Sequence, residues 1–155
     1  MRAVVTRVSS ASVTIDGQQV GAIGRGFLIL LGVGPNDTEA QCKYLADKIL
    51  GLRVFEDENG KMHLGLDQVE GQVLVVSQFT LYGNCRKGRR PSFTDAAPPE
   101  LGNAMYERFL TLCEQAGFPP QHGRFGADME VASINDGPVT LILDTDQLME
   151  EPRRK

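Results

Sequence analysis

The chain has 155 residues, 41% of them hydrophobic and 23% charged, with a net charge of −4. Those proportions exclude a disordered chain, and the acidic balance excludes a generally basic nucleic-acid binder, so any anionic partner must be met by a local patch. The length suits one domain over 1–155 with a single proper core. The three cysteines, Cys42, Cys85 and Cys113, are odd in number and scattered. This reads as reduced thiols in a cytoplasm rather than a disulfide frame or a zinc site. "MRAVVTRV" lacks the apolar core of a signal peptide, and the longest apolar run, "FLILLGV", is too short to cross a bilayer. A soluble, cytoplasmic protein with no membrane partner is expected.

In chain order, "RAVVTRVSSASVTID" alternates polar and branched residues in the manner of strands, Asp16-Gly17 supplies a hairpin turn, and "QQVGAI" returns. "GFLILLGV" (26–33) is continuously apolar, as a strand covered on both faces would be. Thr38 and Gln41 then stand at capping-box spacing. Cys42, Leu45, Ala46, Ile49 and Leu52 follow on one face of a helix of about three to four turns. "LRVF" reads as a short strand, "EDENGK" as a turn and "QVLVVSQFTL" (72–81) as a second buried strand. A second helix begins near Pro98-Pro99 and carries Leu101, Met105, Phe109 and Leu112 inward, with Gly117 as its stop. "ADMEVASI" and "PVTLILDT" close the series as two further strands. The predicted class is α+β: many strands, largely antiparallel, with two main helices packed against them.

Conventional catalytic signatures are missing. The sequence holds no GxSxG elbow, HExxH pair, Walker loop or GxGxxG. Its two histidines, His63 in "KMHLGL" and His122 in "PPQHGR", lie in turn-like surroundings and read as surface residues. An enzyme built from this chain must work without metal, cofactor or an evident imidazole base.

Two stretches stand out. In "SQFTLYGNCRKGRRPSF" (77–93), polar Ser77, Gln78 and Thr80 arrive with Phe79 where a buried strand ends, a common place for reactive groups. Hydroxyls at a strand exit also serve simply to satisfy backbone, so composition leaves both readings open. Next come Arg86, Lys87, Arg89 and Arg90, four cations around one glycine on an acidic protein. They suit a phosphate clamp as well as a solvated basic turn. The second stretch, "NDGPVT" (135–140), is made of turn formers, and its Gly137-Pro138 pair sits awkwardly at the mouth of a strand.

Taken together, Ser77-Gln78-Phe79-Thr80, the loop "RKGRRPSF" and Gly137-Pro138 within "NDGPVT" closely resemble the D-aminoacyl-tRNA deacylase family. The resemblance covers essentially the whole chain, including "MRAVVTRVSSASVTIDG". It implies a barrel-like α+β fold and a homodimer without cofactor. It also implies an ester hydrolase that removes D-amino acids from tRNA and glycine from mischarged alanine tRNA (glycyl-tRNA(Ala)). By the same resemblance, Ser77, Gln78, Phe79 and Thr80 of one subunit form the catalytic pocket with a Gly-cis-Pro, Gly137-Pro138, from the other. Arg86, Lys87, Arg89 and Arg90 are expected to bind tRNA phosphates, and the terminal Arg153, Arg154 and Lys155 to form a frayed tail. Arg7, on the first strand, is a candidate brace for the Gly-Pro wedge.

The task implied is unusual, because the side chain varies while the L hand must always be refused. One favourable methylene contact is worth only about 1–3 kcal/mol. A steric wall made of locked main chain discriminates better, since no rotamer can swing it away.

Overall fold

The computed structural model describes residues 1–150. The described residues form eight strands and three helices. They are β1 (Arg2–Ile15), β2 (Gln18–Ile23), β3 (Gly26–Gly32), α1 (Glu39–Leu50), β4 (Phe55–Glu56), β5 (Met62–Leu64), β6 (Gln72–Ser77), α2 (Pro99–Gln115), β7 (Gln121–His122), β8 (Glu130–Asp144) and α3 (Thr145–Leu148). Strands β2-β1-β3-β6-β7 lie side by side, β8 pairs with the other edge of β1, and β4-β5 form a separate hairpin. The sheet curls until Gly21 of β2 approaches β7. A Cβ there would stand 3.2 Å from the His122 carbonyl, which gives the sheet its barrel-like shape.

Local chemistry accounts for the elements. Asp16 and Gly17 both take positive φ (50° and 75°), as the β1-β2 turn demands. Thr38 caps α1, with the reciprocal Gln41 bond of a capping box. Gly117 at φ 92° follows the last turn of α2. On β3 and β6 alternate residues face opposite ways, and both faces are covered. Phe27, Ile29, Leu31, Val73 and Val75 join α1 and α2 in the larger core, whereas Leu28, Leu74 and Val76 fill the barrel interior. Strand β1 serves both layers by changing parity. Ala3 and Val5 belong to the larger core and Val8, Ala11 and Val13 to the barrel interior; one register shift in the β1-β8 ladder, between Thr6 and Val8, separates the two sets, and a second, between Val8 and Ser10, follows Val8.

The sheet is largely antiparallel, as expected, with β3-β6 and β6-β7 as parallel pairs; a continuous apolar run has the same composition whichever way its neighbour points. Two expectations need correction. The strand expected over 72–81 ends at Ser77, and Phe79–Tyr82 is a 3-10 turn. The two final strands are one, β8, which continues through Gly137-Pro138. The single-turn α3 adds a helix that the sequence pattern did not reveal. Arg153, Arg154 and Lys155 lie outside the described residues. Among the described residues no helix is long and apolar enough to cross a membrane.

Candidate active site

Ser77, Gln78 and Phe79 sit where the parallel pair β3-β6 runs out. Gln78 N–H still donates to the Leu31 carbonyl (2.8 Å), and the chain then turns into Phe79–Tyr82. Two anchors hold this turn. Tyr82 is buried, with burial and the charge of Asp37 pushing its phenol pKa up. Arg2 stacks its guanidinium 4.4 Å above the Tyr82 ring and donates from Nη1 to the Leu81 carbonyl (3.0 Å). The N–H groups of Phe79 and Thr80 open the turn, where helical geometry offers no carbonyl partner within the turn itself. The Thr80 hydroxyl accepts a hydrogen bond from Gln78 Nε2.

A cavity of about 570 Å³ opens against this strand end. Its walls include Ser77, Gln78, Phe79, Phe93, Phe125 and Met129; Thr80 does not line it. Phe79 is 56% exposed, so core packing is not its role. Its ring meets that of Phe93 edge-on, with centroids 5.3 Å apart and planes at 70°. Phe93 closes a small hairpin whose base is the Asn84–Ser92 pair, joined by backbone bonds of 2.7 and 2.8 Å. Arg86, Lys87, Arg89 and Arg90 occupy its tip; all four are exposed, and none makes an ion pair among the described residues.

Gly137 and Pro138 lie elsewhere. In the β1-β8 ladder Thr6 pairs with Thr140 and Val8 with Asn135, so residues 136–139 bulge out opposite Arg7. The Gly137-Pro138 bond is cis, and both residues are exposed. Polar ties hold the bulge. The Asn135 side chain donates to Thr140 Oγ1 and accepts from Val139 N–H, both at 2.8 Å. Arg7 is 5% exposed; its Nε donates to the Asp136 carbonyl (2.9 Å) and its Nη1 to the Val54 carbonyl (2.7 Å). Glycine is required at 137, where φ is 136° and a Cβ would stand 2.9 Å from Arg7 Nη2. Neither Gly137 nor Pro138 lines the cavity at Ser77–Phe79. The structure therefore brings the Ser77–Phe79 strand end and the hairpin together through Phe93, and leaves the Gly-Pro bulge apart from both within one chain.

Two contributors escaped the sequence reading. Asn135 has as its only signal an amide side chain two residues before Gly-Pro, and Phe93 reads as the tail of a basic loop. The histidines are exposed as expected, but they lie on the short strands β5 and β7 rather than in turns. His122 Nδ1 is 2.6 Å from the Gly123 carbonyl. Among the described residues no cluster of three or more His, Cys, Asp and Glu side chains is placed to hold a metal ion.

The described residues thus combine a curled mixed sheet, an open strand-end pocket, a cationic hairpin and an outward main-chain bulge. Residues 4–144 match the D-Tyr-tRNA(Tyr) deacylase family. The chain is 57% identical over 148 residues to the D-aminoacyl-tRNA deacylase of Thermotoga petrophila, covering 96% of this chain and 99% of that one. It is 59% identical over 145 residues to that of Desulfatibacillum aliphaticivorans, covering 94% and 99%. A solved structure described as a c-Myc DNA Unwinding Element Binding Protein superposes with a TM-score of 0.87 at 44% identity, over 93% of this chain and 98% of that one. Another, described as a structural analysis of a probable eukaryotic D-amino acid tRNA deacylase, shares the fold with a TM-score of 0.81 at 18% identity, over 92% and 97%. The chain belongs to the D-Tyr-tRNA(Tyr) deacylase family, a family of hydrolases.

Proposed function

We propose that the chain, acting as one domain over 1–155 in the cytoplasm, hydrolyses the ester between a D-amino acid and the terminal ribose of tRNA. On this reading it also clears glycine from glycyl-tRNA(Ala), because glycine has no Cβ for a wall to refuse. The observation that carries the reading is a separation. The chain presents a pocket at Ser77–Phe79 and a main-chain prong at Gly137-Pro138, and the prong lines no part of that pocket. A second copy of the chain resolves this by lending its prong to the first copy's pocket. Strand β8 supports such pairing, since among the described residues it pairs with no strand but β1 and leaves Val131, Ile134 and Ile142 exposed at 38, 61 and 81%.

In the homodimer, the carbonyls of Gly137 and its neighbours form a rigid wall beside Cα of the substrate, tied by Arg7 and Asn135. A D substituent leaves Cα away from that wall, whereas an L substituent meets it. Main-chain N–H groups of Phe79 and Thr80 stabilise the oxyanion that develops as water attacks the ester carbonyl. The ribose 2′-hydroxyl, adjacent to the ester, relays the proton in place of a histidine. Thr80 is not the nucleophile, because the side-chain partner of its hydroxyl is the Gln78 amide, which is no base in either orientation. Phe79 shapes the pocket for the terminal adenosine, and Arg86, Lys87, Arg89 and Arg90 take the tRNA phosphates.

The test uses D-Tyr-tRNA and L-Tyr-tRNA side by side: loss of the D ester alone is expected, and equal loss or no loss overturns the reading. A Thr80→Ala variant that keeps single-turnover hydrolysis within a few-fold supports main-chain catalysis. A second reading, a nucleic-acid-binding module without hydrolysis, draws on the relative described as a DNA unwinding element binding protein. Binding of tRNA with both esters left intact would favour it.

A further inference from the structure

The Phe93 ring belongs to two structures at once. Its backbone directly follows Ser92, which closes the cationic hairpin against Asn84. Its side chain lines the cavity and meets Phe79 edge-on at 5.3 Å. Gly83, the residue after the 3-10 turn, makes room for it: a Cβ at 83 would come within 3.1 Å of Phe93 Cε1 and 2.9 Å of the Thr80 carbonyl. The hairpin is otherwise exposed, and the Phe79 ring is 56% exposed. Gly83 links the turn to the hairpin along the chain, and the Phe79–Phe93 contact joins them a second time, side chain to side chain.

We propose that Phe93 is a positioning residue, its ring carrying the docking of a phosphate chain on the 84–92 hairpin into the placement of the Phe79–Tyr82 turn at the ester. This rests on the deacylase reading above. An edge-to-face pair has a directional preference, so a hairpin drawn onto phosphates moves the Phe93 edge and turns Phe79 with it. Without the ring, the hairpin still binds phosphate but no longer informs the site. Binding and rate then become independent, which a purely structural role would not produce.

The experiment measures single-turnover hydrolysis of D-Tyr-tRNA by the full chain at saturating enzyme, together with the affinity for tRNA. Phe93→Ala is expected to lower the saturated rate about three- to tenfold, the range an aromatic pair supplies, while affinity stays within about twofold. Phe93→Tyr, which keeps the ring, is expected to restore the rate. Neutralising the hairpin (Arg86→Gln, Lys87→Gln, Arg89→Gln and Arg90→Gln together) lowers both affinity and saturated rate when Phe93 is present, but affinity alone in the Phe93→Ala background. Phe93→Leu, which keeps apolar bulk without the ring edge, gives the same readouts if the alanine variant does not fold. A saturated rate unchanged by loss of the ring, or an equal rate effect of charge removal with and without it, overturns the proposal. Failure of the parent protein to cleave the D ester overturns the deacylase reading itself, before any variant is compared.

Discussion

The Ser77–Thr80 turn and the Gly137-Pro138 bulge are both held firmly, but by opposite means. The turn caps a strand whose preceding residues, Val73, Leu74, Val75 and Val76, are at most 2% exposed, so apolar packing on two faces fixes where it ends. The bulge interrupts a strand exposed along most of its length. Its shape depends on the Arg7 guanidinium and the Asn135 amide: three hydrogen bonds reach the bulge and its ends, and a fourth ties Arg7 to the Val54 carbonyl. Packing is non-directional and tolerates small adjustments, whereas hydrogen bonds specify direction and fail when one partner goes. A group that needs only to be present at a strand end suits the first support. A wall that must judge handedness needs the second.

If this contrast holds, damage to each support has its own signature. The largest expected effect is on stability: Leu74→Ala opens a cavity in the barrel interior behind the turn and costs about 2–5 kcal/mol by denaturant unfolding. Hydrolysis of the D ester slows, but the ratio of D to L hydrolysis stays within about twofold of the parent, because the wall is untouched. A collapsed ratio would mean that the two supports are not independent. Arg7→Leu comes next, at about 1–3 kcal/mol, from leaving the Val54 and Asp136 carbonyls without their donor. Here the ratio should fall, with L-Tyr-tRNA newly cleaved. An unchanged ratio would show that the bulge keeps its shape without the guanidinium.

The same contrast explains what could be read from the sequence. Elements that rest on packing declared themselves: the apolar runs of β3 and β6 and the capping box of Thr38 and Gln41 lie where the pattern places them. The direction of pairing did not, because strands buried on both faces carry the same residues in a parallel or an antiparallel ladder. The last strand read as two because proline breaks a ladder, yet residues 136–139 are simply passed over while pairing resumes at Asn135. Arg7 looked like a residue of an exposed face as readily as a brace. Its burial depends on Val54 and Asp136, 47 and 129 residues away. The site motifs were legible as resemblance, whereas the ties that hold the bulge arise only once β8 returns beside β1.

Alkaline pH should separate the two supports without mutation. Cys42 and Cys113 lie buried between the sheet and the helices, and burial pushes both thiols up to about 12. An acid whose pKa is higher in the folded state stabilises the fold below its unfolded value, here 9.0, and loses that contribution as pH rises towards 12. The melting temperature is therefore expected to decline between those values, while the D-to-L ratio, measured after return to neutral pH because the ester hydrolyses by itself in base, does not change. Cys85 is exposed, so a thiol reagent at neutral pH should label one site per native chain and three after unfolding. Early labelling of Cys42 or Cys113 would show that the packed half opens more readily than its burial implies.

The smallest effect sharpens the comparison most. Asn135→Ala removes two bonds at an exposed site, so its cost in stability is about 0.5–1.5 kcal/mol, less than that of Leu74→Ala. Those two bonds nevertheless join the two ends of the bulge, from Asn135 to Val139 N–H and to Thr140 Oγ1. Asn135→Asp retains an acceptor for Val139 N–H. The Thr140 hydroxyl can then donate to the carboxylate, so this variant should preserve both ties in altered form. The expected order of D-to-L discrimination is therefore parent, then aspartate, then alanine, with melting temperatures only a few degrees apart. If discrimination instead tracks melting temperature across Leu74→Ala, Arg7→Leu and both Asn135 variants, general stability sets the handedness of the site, and the division into a packed support and a hydrogen-bonded one fails.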